Sequence, residues 1–232
     1  MKSYFTHLEC TACGSTFSAD EPHRTCDDCG KVLYARYDLQ RVSSEVNRDD
    51  LASRIASMWR YFELMPVRQM EHVISLGEGM TPLIHARNLG EQLGCQRLLI
   101  KDEGGNPTGS FKARGISAAV SKAKELGLTR LTMPSAGNAA GALAAYSAQG
   151  NLEAHVFMPK DAPVANQHEC IAFGAHLTLV DGLIGDAGRL SRERAAEERL
   201  FDVSTLQEPY RVEGKKTMGY ELAEQLGWRT PD

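Results

Sequence analysis

The sequence has neither a long apolar segment nor an excess of basic residues. No run approaches the ~20 apolar residues that cross a bilayer, and residues 1–14 lack the apolar core of a secretory signal. The 26 lysine and arginine residues are outnumbered by 30 aspartate and glutamate residues, which gives a net charge of −4. Nucleic-acid and anionic-membrane binders usually carry a basic surface. We therefore expect a cytoplasmic protein that binds neither nucleic acid nor membrane.

Aromatic residues are also few, at 7% of the chain, whereas the 42% hydrophobic and 24% charged residues are ordinary for a globular protein. This balance excludes a disordered tail, a collagen-like repeat and a disulfide-dense mini-protein. The length of 232 residues predicts about one and a half domains of ~150 residues. Because the sequence has no Gly-x-Ser-x-Gly elbow and no His-Glu-x-x-His pair, it does not support a serine hydrolase or a zincin.

Three zones follow one another along the chain. Residues 1–40 hold four of the six cysteines and predict a zinc ribbon, and residues 41–75 predict a helical connector. We expect residues 76–232 to form a partial catalytic region, in which about 130–205 make a smaller α/β subdomain. The connector has Asn47 as a suitable N-cap and Pro66 just beyond its end. Its apolar residues form one helical stripe, which we expect to pack on the main body: Leu51, Ile55, Met58, Trp59 and Phe62.

The third zone alternates short apolar strands, glycine turns and amphipathic helices. We predict strands at 97–101, 130–133, 154–158, 176–180 and 201–203, and helices at 111–126, 139–149, 163–173, 188–200 and 215–226. Strands separated by helices need crossover connections, which make the strands mainly parallel. The predicted fold class is therefore α/β, with mainly parallel sheets and flanking helices.

The cysteines of the first zone form two matching knuckles. Each has two cysteines separated by two residues and followed by glycine, namely Cys10, Cys13, Gly14 and Cys26, Cys29, Gly30. Such a pair can bind one tetrahedral ion from a tight turn, and the glycine allows the positive φ that the turn needs. The twelve residues between the knuckles suit a two-stranded ribbon. Four sulfur ligands leave no position for a reacting water, so this chemistry indicates a structural zinc site.

Other interpretations of the cysteines remain open. Two disulfides or four free thiols are possible, although a protein without a secretion signal disfavours disulfides. His7 or His23 could replace one cysteine as a ligand, but four sulfurs already complete a tetrahedral shell. The two remaining cysteines, Cys95 and Cys170, are expected to be small buried side chains.

A glycine-rich loop follows the first strand of the third zone and opens a helix. Gly104 and Gly109 have the spacing of a phosphate-binding loop, but that motif needs lysine directly after its second glycine. Here Ser110 and Phe111 come before Lys112. This departure disfavours a nucleotide site.

Lys112 is the chemically interesting residue of that loop. It would lie in the first turn of a helix, near the positive end of the helix dipole, with Arg114 close by. Both charges disfavour the ammonium form, so the amine becomes available to attack a carbonyl carbon, as a Schiff base with pyridoxal phosphate requires. An isolated lysine at a helix start would more often be a solvated side chain.

Several motifs together resemble the fold-type-II pyridoxal-phosphate enzymes of the tryptophan synthase β superfamily, and most closely the threonine synthases. The resemblance is carried by residues 106–112 (NPTGSFK), 76–83 (LGEGMTPL), 135–138 (SAGN) and 210–217 (YRVEGKKT). An amino-terminal zinc ribbon also occurs on some threonine synthase relatives. The resemblance covers nearly the whole chain and implies two cofactors, pyridoxal 5'-phosphate and a structural zinc ion.

The resemblance implies roles for individual residues. Lys112 matches the lysine that binds the cofactor covalently, and Asn138 matches the asparagine that hydrogen-bonds the cofactor ring. Residues implied near the substrate are Thr81, Ser110, Ser135 and Gly137, with Arg211 and Lys215 as candidates for its phosphate group. Two cations one turn apart could clamp a phosphate, although a solvated cluster at a helix start is an equally good interpretation of that pair.

Two departures from the family pattern matter. Ala113 stands where the family often has aspartate, which leaves the substrate subtype open. The family's later phosphate-binding glycine loop, and its serine or threonine at the pyridine nitrogen, have no counterpart after Gly227. We therefore expect an amino-terminal fragment, incomplete at its carboxyl end, which would expose an apolar sheet edge and hold the cofactor poorly.

For the full-length enzyme the resemblance implies a lyase that converts O-phospho-L-homoserine and water to L-threonine and phosphate, acting on a small amino-acid substrate, usually as a homo-oligomer. The same scaffold also supports serine/threonine dehydratases, cysteate synthases and diaminopropionate ammonia-lyases. An inactive fragment and a zinc-ribbon binding module are the remaining alternatives. Acidic residues beside the knuckles, such as Asp27 and Asp28, disfavour nucleic acid as the partner of such a module.

Overall fold

The computed structural model describes residues 1–231, which form an antiparallel sheet of three strands, a two-stranded sheet and a parallel sheet of four strands. The strands are β1 (Phe5–Cys10), β2 (Thr16–Ser18), β3 (Leu33–Tyr37), β4 (Leu83–His85), β5 (Leu99–Lys101), β6 (Arg130–Pro134), β7 (Glu153–Pro159), β8 (His176–Val180) and β9 (Phe201–Asp202). The helices are α1 (Leu39–Glu45), α2 (Arg48–Leu51), α3 (Arg87–Gln92), α4 (Lys112–Glu125), α5 (Asn138–Gly150), α6 (Val164–Ala172), α7 (Ile184–Glu198) and α8 (Tyr210–Gln225). Short 3₁₀ helices cover Met58–Leu64, Met70–His72, Glu103–Gly105 and Pro107–Gly109.

The parallel sheet confirms the predicted α/β class. Its strand order is β8-β7-β6-β9, and every neighbouring pair is parallel. Helices α5, α6 and α7 connect the strands and pack on the sheet. Parallel strands end at one edge of a sheet, so the loop after β6 and the segment after β9 come together there. Among the described residues, no helix combines the length and the hydropathy that crossing a bilayer requires.

The amino-terminal sheet differs from the predicted ribbon. The strands do not form a hairpin between the two knuckles; β1 lies in the centre and pairs antiparallel with both β2 and β3. Only three residues between the knuckles form a regular strand, because the segment turns at Ala19 and Asp20 and then continues through the irregular residues around Pro22. β3, which follows the second knuckle, therefore supplies the longer pairing partner.

The single connector helix is also a wrong prediction. Asn47 does cap a helix, since its side chain accepts a hydrogen bond from Asp49 N, but α2 ends at Leu51. The chain turns there, and Ile55 is 73% exposed. The side chain of Ser57 then caps the 3₁₀ helix Met58–Leu64, which buries Met58, Trp59 and Phe62. The Ser57 cap therefore starts a new, separate helix, although the spacing of the apolar residues predicts a single continuous one.

The last helix begins five residues earlier than predicted, at Tyr210 instead of Lys215. Glu208 causes this difference, because its buried carboxylate accepts hydrogen bonds from the backbone N–H groups of Tyr210 and Arg211 at 2.6 and 3.0 Å. These are groups that a helix start otherwise leaves unpaired. The early start turns Arg211 into a residue of the first turn of α8.

The two unassigned cysteines behave differently from each other. Cys170 lies in α6 and is fully buried, as predicted, whereas Cys95 is exposed. Cys95 follows Gly94 in the turn after α3, where its backbone N–H donates to Gly90 O at 2.7 Å. The backbone of Cys95 thus holds the turn after α3 in place, while its side chain is exposed to solvent.

Helices α4 and α8 cross at close range because each contributes a glycine. A Cβ atom built on Gly214 would lie 2.1 Å from the carbonyl oxygen of Arg114, and one built on Gly115 would lie 2.9 Å from the carbonyl oxygen of Arg211. Backbone atoms cannot move aside as a flexible side chain can. This crossing brings the first turns of the two helices together.

Gly214→Ala is therefore expected to destabilise the chain by about 1–3 kcal/mol through overpacking. Gly219→Ala is the matched control in the same helix, because a Cβ atom there meets nothing within 4 Å, and it is expected to add about 0.5–1 kcal/mol of stability. Urea unfolding of both variants measures the difference. Equal unfolding midpoints would contradict the close crossing.

Candidate active site

The lysine loop has the structure that its sequence predicts. It leaves β5, passes through the 3₁₀ turns Glu103–Gly105 and Pro107–Gly109, and opens α4 with Lys112 as the first helical residue. The buried Ser110 Oγ accepts a hydrogen bond from Lys112 N at 3.3 Å. The Lys112 amine lies 4.3 Å from the centre of the Phe111 ring. This places a partly buried primary amine at a helix start.

Two cations of α8 face that amine across the helix crossing. The Lys215 amine lies 5.7 Å from the centre of the same Phe111 ring. Burial lowers the pKa of Lys215, and the charges of Arg211 and Lys112 lower it further. The structure thus brings together Lys112, Ser110, Arg211 and Lys215. Three neighbouring positive charges favour an anionic ligand.

The pKa of Lys112 is lowered, as the sequence suggests, but not by Arg114. Burial is the larger cause, and the positive charge of Arg211 is the second. Residues two apart on a helix point away from each other, and Arg114 pairs with carboxylates on the opposite side of α4. A lowered pKa leaves more of the lysine as a free amine at neutral pH.

Among the buried side chains that the structure describes, Arg211 has the largest number of hydrogen-bonding atoms without a partner. Its side chain is 2% exposed, and Nη1 donates to the carbonyl oxygen of Val203 at 2.9 Å. Its Nε and Nη2 atoms are buried and have no hydrogen-bond partner within residues 1–231. Buried polar groups are normally paired, so these N–H groups are available to a ligand. The nearby Glu208 carboxyl does not pair with the guanidinium, and burial raises the pKa of that carboxyl to about 7.

The predicted asparagine loop lies at the carboxyl end of β6. Ser135 N donates to Phe157 O at 3.0 Å, Ser135 Oγ lies 3.4 Å from Gly137 N, and Asn138 is the exposed first residue of α5. The first N–H groups of a helix suit an anion such as a carboxylate. Helix α5 packs against the Pro107–Gly109 turn of the lysine loop, which joins the two loops.

Thr81 lies in a buried ion-pair network behind the site. Its hydroxyl donates to Glu103 Oε1 at 2.7 Å and accepts from Arg114 Nη2 at 3.3 Å. Arg114 also pairs with Glu221 at 2.5 Å, and neither side chain is exposed. The Thr81 hydroxyl therefore already has two protein partners, in contrast to the free groups of Arg211.

Glu221→Ala is expected to lower the free energy of unfolding by about 3 kcal/mol or more, because it leaves Arg114 and Lys101 short of a buried partner. The exposed pair of Arg189 and Glu193 on α7 provides the control. Glu193→Ala should change stability by less than about 0.5 kcal/mol. Chemical unfolding of both variants makes the comparison, and a neutral Glu221→Ala would show that the network adds no stability.

The sequence analysis missed Glu78 as an organising residue. It is fully buried, and its carboxylate accepts hydrogen bonds from Trp59, Ser117 and Tyr146 at 2.6–2.8 Å. These residues come from the connector, α4 and α5, so one carboxylate ties three segments to the early motif. Its place between two glycines in an apolar stretch is the only sequence signal for this role.

The four knuckle cysteines form one cluster. Cys10 Sγ lies 3.4 Å from Cys29 Sγ, and Cys13 Sγ lies 3.6 Å from Cys26 Sγ and from Cys29 Sγ. A tetrahedral ion with ~2.3 Å bonds to sulfur separates its ligands by about 3.8 Å, whereas a disulfide needs ~2.05 Å. The four cysteines form no disulfide, and Gly14 and Gly30 have the expected positive φ of 76° and 68°. His7 and His23 are not part of the cluster.

The amino-terminal sheet contacts the segments that carry the cation cluster. Arg24 pairs at 2.9 Å with the buried Asp202, directly before the Val203 carbonyl that holds Arg211. Tyr37 of β3 donates to Glu213 of α8 at 2.6 Å. The amino-terminal region therefore forms a polar contact with each end of the segment 202–213.

Comparisons with known proteins agree with this geometry. Residues 74–232 match the family "Pyridoxal-phosphate dependent enzyme". The chain is 37% identical over 224 residues to the threonine synthase of Methanocaldococcus jannaschii and 35% identical over 227 residues to that of Methanosarcina acetivorans. These alignments cover 96% and 97% of the chain but 55% of each relative, so the chain spans about half the length of the curated relatives it matches.

Solved structures show the same fold. Maize serine racemase superimposes with a TM-score of 0.62 at 22% identity, over 75% of this chain and 51% of that one. The processed threonine deaminase isoform 2 of Solanum lycopersicum gives 0.61 at 24% identity, over 78% of this chain and 49% of the other. Sequence identities this low establish a shared fold but do not establish a shared reaction. The family match over residues 74–232, together with the lysine loop and its fold, shows that this chain belongs to the pyridoxal-phosphate dependent enzymes.

Proposed function

We propose that the enzyme containing this chain converts O-phospho-L-homoserine and water to L-threonine and phosphate. The observation that carries the proposal is the buried Arg211, whose two unpaired N–H-bearing nitrogens lie in one cation cluster with the Lys112 amine. This cluster suits a substrate that carries both an amino acid and a phosphate dianion. The likeness to threonine synthases supports the same substrate.

The residues present fit pyridoxal phosphate. A partly buried amine with a lowered pKa, held beside Ser110 at the start of α4, is the group that binds an aldehyde. Lys112 would hold the cofactor through its Nζ atom, and Asn138 through its side-chain amide. When bound, the cofactor withdraws electrons from the carbon atoms of the attached amino acid.

The chain's own residues would position the substrate and move its protons. The Ser135 hydroxyl and the backbone N–H group of Gly137, before α5, would bind the carboxylate, since the Ser135 N–H already donates to Phe157 O. Arg211, oriented by the Val203 carbonyl, would hold the phosphate group with Lys215 until it leaves from the γ carbon. Lys112 Nζ would accept and return protons at the α and β carbons, because its lowered pKa suits both roles. The Ser110 hydroxyl would orient Lys112 by accepting the hydrogen bond from its backbone N–H. Thr81 would act indirectly, through its hydrogen bond to Arg114.

The four-cysteine cluster completes the proposal as a structural zinc site. Sulfur–sulfur distances of 3.4–3.6 Å need only a small expansion around a tetrahedral ion. Four protein ligands leave no open position for catalysis. The ion would therefore stabilise the fold of residues 1–37.

The proposed reaction is tested with the full-length enzyme loaded with pyridoxal phosphate. Phosphate and L-threonine should form in equal amounts from O-phospho-L-homoserine. Release of ammonia and a 2-oxo acid from serine or threonine, without phosphate release, would instead identify a dehydratase.

Arg211→Gln is expected to raise KM for the phosphorylated substrate by roughly 10–100-fold, which is the effect of losing charged hydrogen bonds. Arg189→Gln on the exposed face of α7 is the control and should leave KM unchanged. Steady-state kinetics on phosphorylated and unphosphorylated amino acids separate the two cases. An equal loss on both substrates would contradict a phosphate contact.

A further inference from the structure

A second cluster of metal-ligating side chains lies on the parallel sheet. His155 of β7 and His176 of β8 are register partners on neighbouring strands, and their rings stack with centres 4.7 Å apart at an interplanar angle of 27°. Glu153 lies two residues before His155, so both side chains point to one face of the sheet. Its carboxylate oxygen lies 3.4 Å from His155 Nε2.

The ligand atoms of these three residues all lie within 4.8 Å of one another. An ion with bonds of ~2.0–2.2 Å to imidazole and carboxylate places its ligands about 3.3–3.5 Å apart. Small side-chain rotations would bring the three ligand atoms to these distances; His176 and Glu153 are exposed, and Glu153 would first leave its hydrogen bond to Arg130. We propose that Glu153, His155 and His176 bind a late first-row divalent transition-metal ion, such as Zn²⁺ or Ni²⁺.

The chemistry of the three ligands defines the class of ion. Imidazole suits Zn²⁺, Ni²⁺ and Cu²⁺, whereas Mg²⁺ and Ca²⁺ prefer oxygen ligands. Two histidines and one carboxylate leave at least one coordination position for water or another ligand. The site thus differs from the four-cysteine cluster, which sulfur fills completely.

The location separates this site from the proposed active site. Glu153 and His155 begin β7, and His176 begins β8. The asparagine loop follows the opposite, carboxyl ends of the parallel strands. An ion at the amino ends would cross-link β8 to β7, and this inference does not depend on the proposed reaction.

Arg130 provides an internal competitor for the ion. Its Nε donates to Glu153 at 3.0 Å, while its other nitrogens donate to the backbone carbonyl and the carboxylate of Glu198 at 2.7 and 3.0 Å. Metal binding would take Glu153 from Arg130 and leave the bonds to Glu198 in place. Removing Arg130 should therefore strengthen metal binding.

The test is calorimetric titration of the full chain, prepared without a polyhistidine tag, with Ni²⁺. Every variant keeps the four-cysteine cluster, so binding there is a constant background. His176→Ala and Glu153→Gln should weaken the second site by roughly tenfold or more. His168→Ala, which removes a histidine from α6, should leave it unchanged.

Arg130→Gln should raise the affinity of the same site, an effect that a merely structural histidine pair would not produce. Circular dichroism checks that each variant is folded, and the exposed His176 makes loss of the fold a small risk. Ni²⁺ binding that survives His176→Ala, or that falls equally in His168→Ala, would overturn the proposal.

Discussion

Replacing Lys112 by alanine is expected to abolish reductive labelling of the protein by pyridoxal phosphate and borohydride. In the unmodified protein the label should lie on the peptide that contains Lys112. The reason is physical: burial and the charge of Arg211 lower the pKa of Lys112, so this amine is more often unprotonated than a lysine in water. Mass spectrometry of the digested protein locates the label.

Loss of this amine should also lower turnover by the full-length enzyme, by about 10²–10⁴-fold for the proton transfers alone. Lys112→Arg should be equally inactive, because arginine keeps the charge but cannot act as a nucleophile or base. Lys124→Ala is the matched control, since Lys124 is an exposed lysine in the last turn of the same helix. A label that persists on another lysine in the Lys112→Ala protein would refute the assignment.

The second large effect is expected from removing the zinc ion that we propose for the four-cysteine cluster. A segment this short has little core of its own, and metal binding supplies on the order of 10 kcal/mol to such folds. Chelation or Cys26→Ser should therefore unfold residues 5–37 locally. Hydrogen exchange should show lost protection there, together with a smaller loss in α8, because Tyr37 and Glu213 are bonded across the boundary.

Cys95→Ser is the control for this experiment, because Cys95 is an exposed cysteine outside the cluster. It should retain the zinc content and the exchange pattern of the unmodified chain. One equivalent of zinc retained in Cys26→Ser, with protection of residues 5–37 intact, would contradict a structural zinc site.

Local signals in the sequence predicted local structure well. Glycine after each second cysteine predicted the positive φ of Gly14 and Gly30, and the apolar run at 176–180 predicted β8. The lysine loop was placed correctly between a strand and a helix, because its glycines and its following alanine-rich stretch have strong local preferences. The same holds for Asn47 as an N-cap.

Features set by distant partners were not predictable in the same way. The start of α8 depends on Glu208, whose carboxylate is held in a buried position. The direction of Arg114 depends on Glu221, more than 100 residues away in the chain, and on Glu103. Ile55 carries the right spacing for a helix, but no partner covers it within the described part of the chain, and it is 73% exposed.

The sequence by itself determined the α/β class, the paired knuckles and the lysine at a helix start, because each follows from spacing and backbone preference within a few residues. Only the tertiary structure decided which charges meet. The crossing of α4 and α8 at Gly115 and Gly214 places Arg211 beside Lys112 and directs Arg114 to Glu221. Electrostatic effects depend on distance and burial in space, and neither quantity is encoded in the order of residues alone.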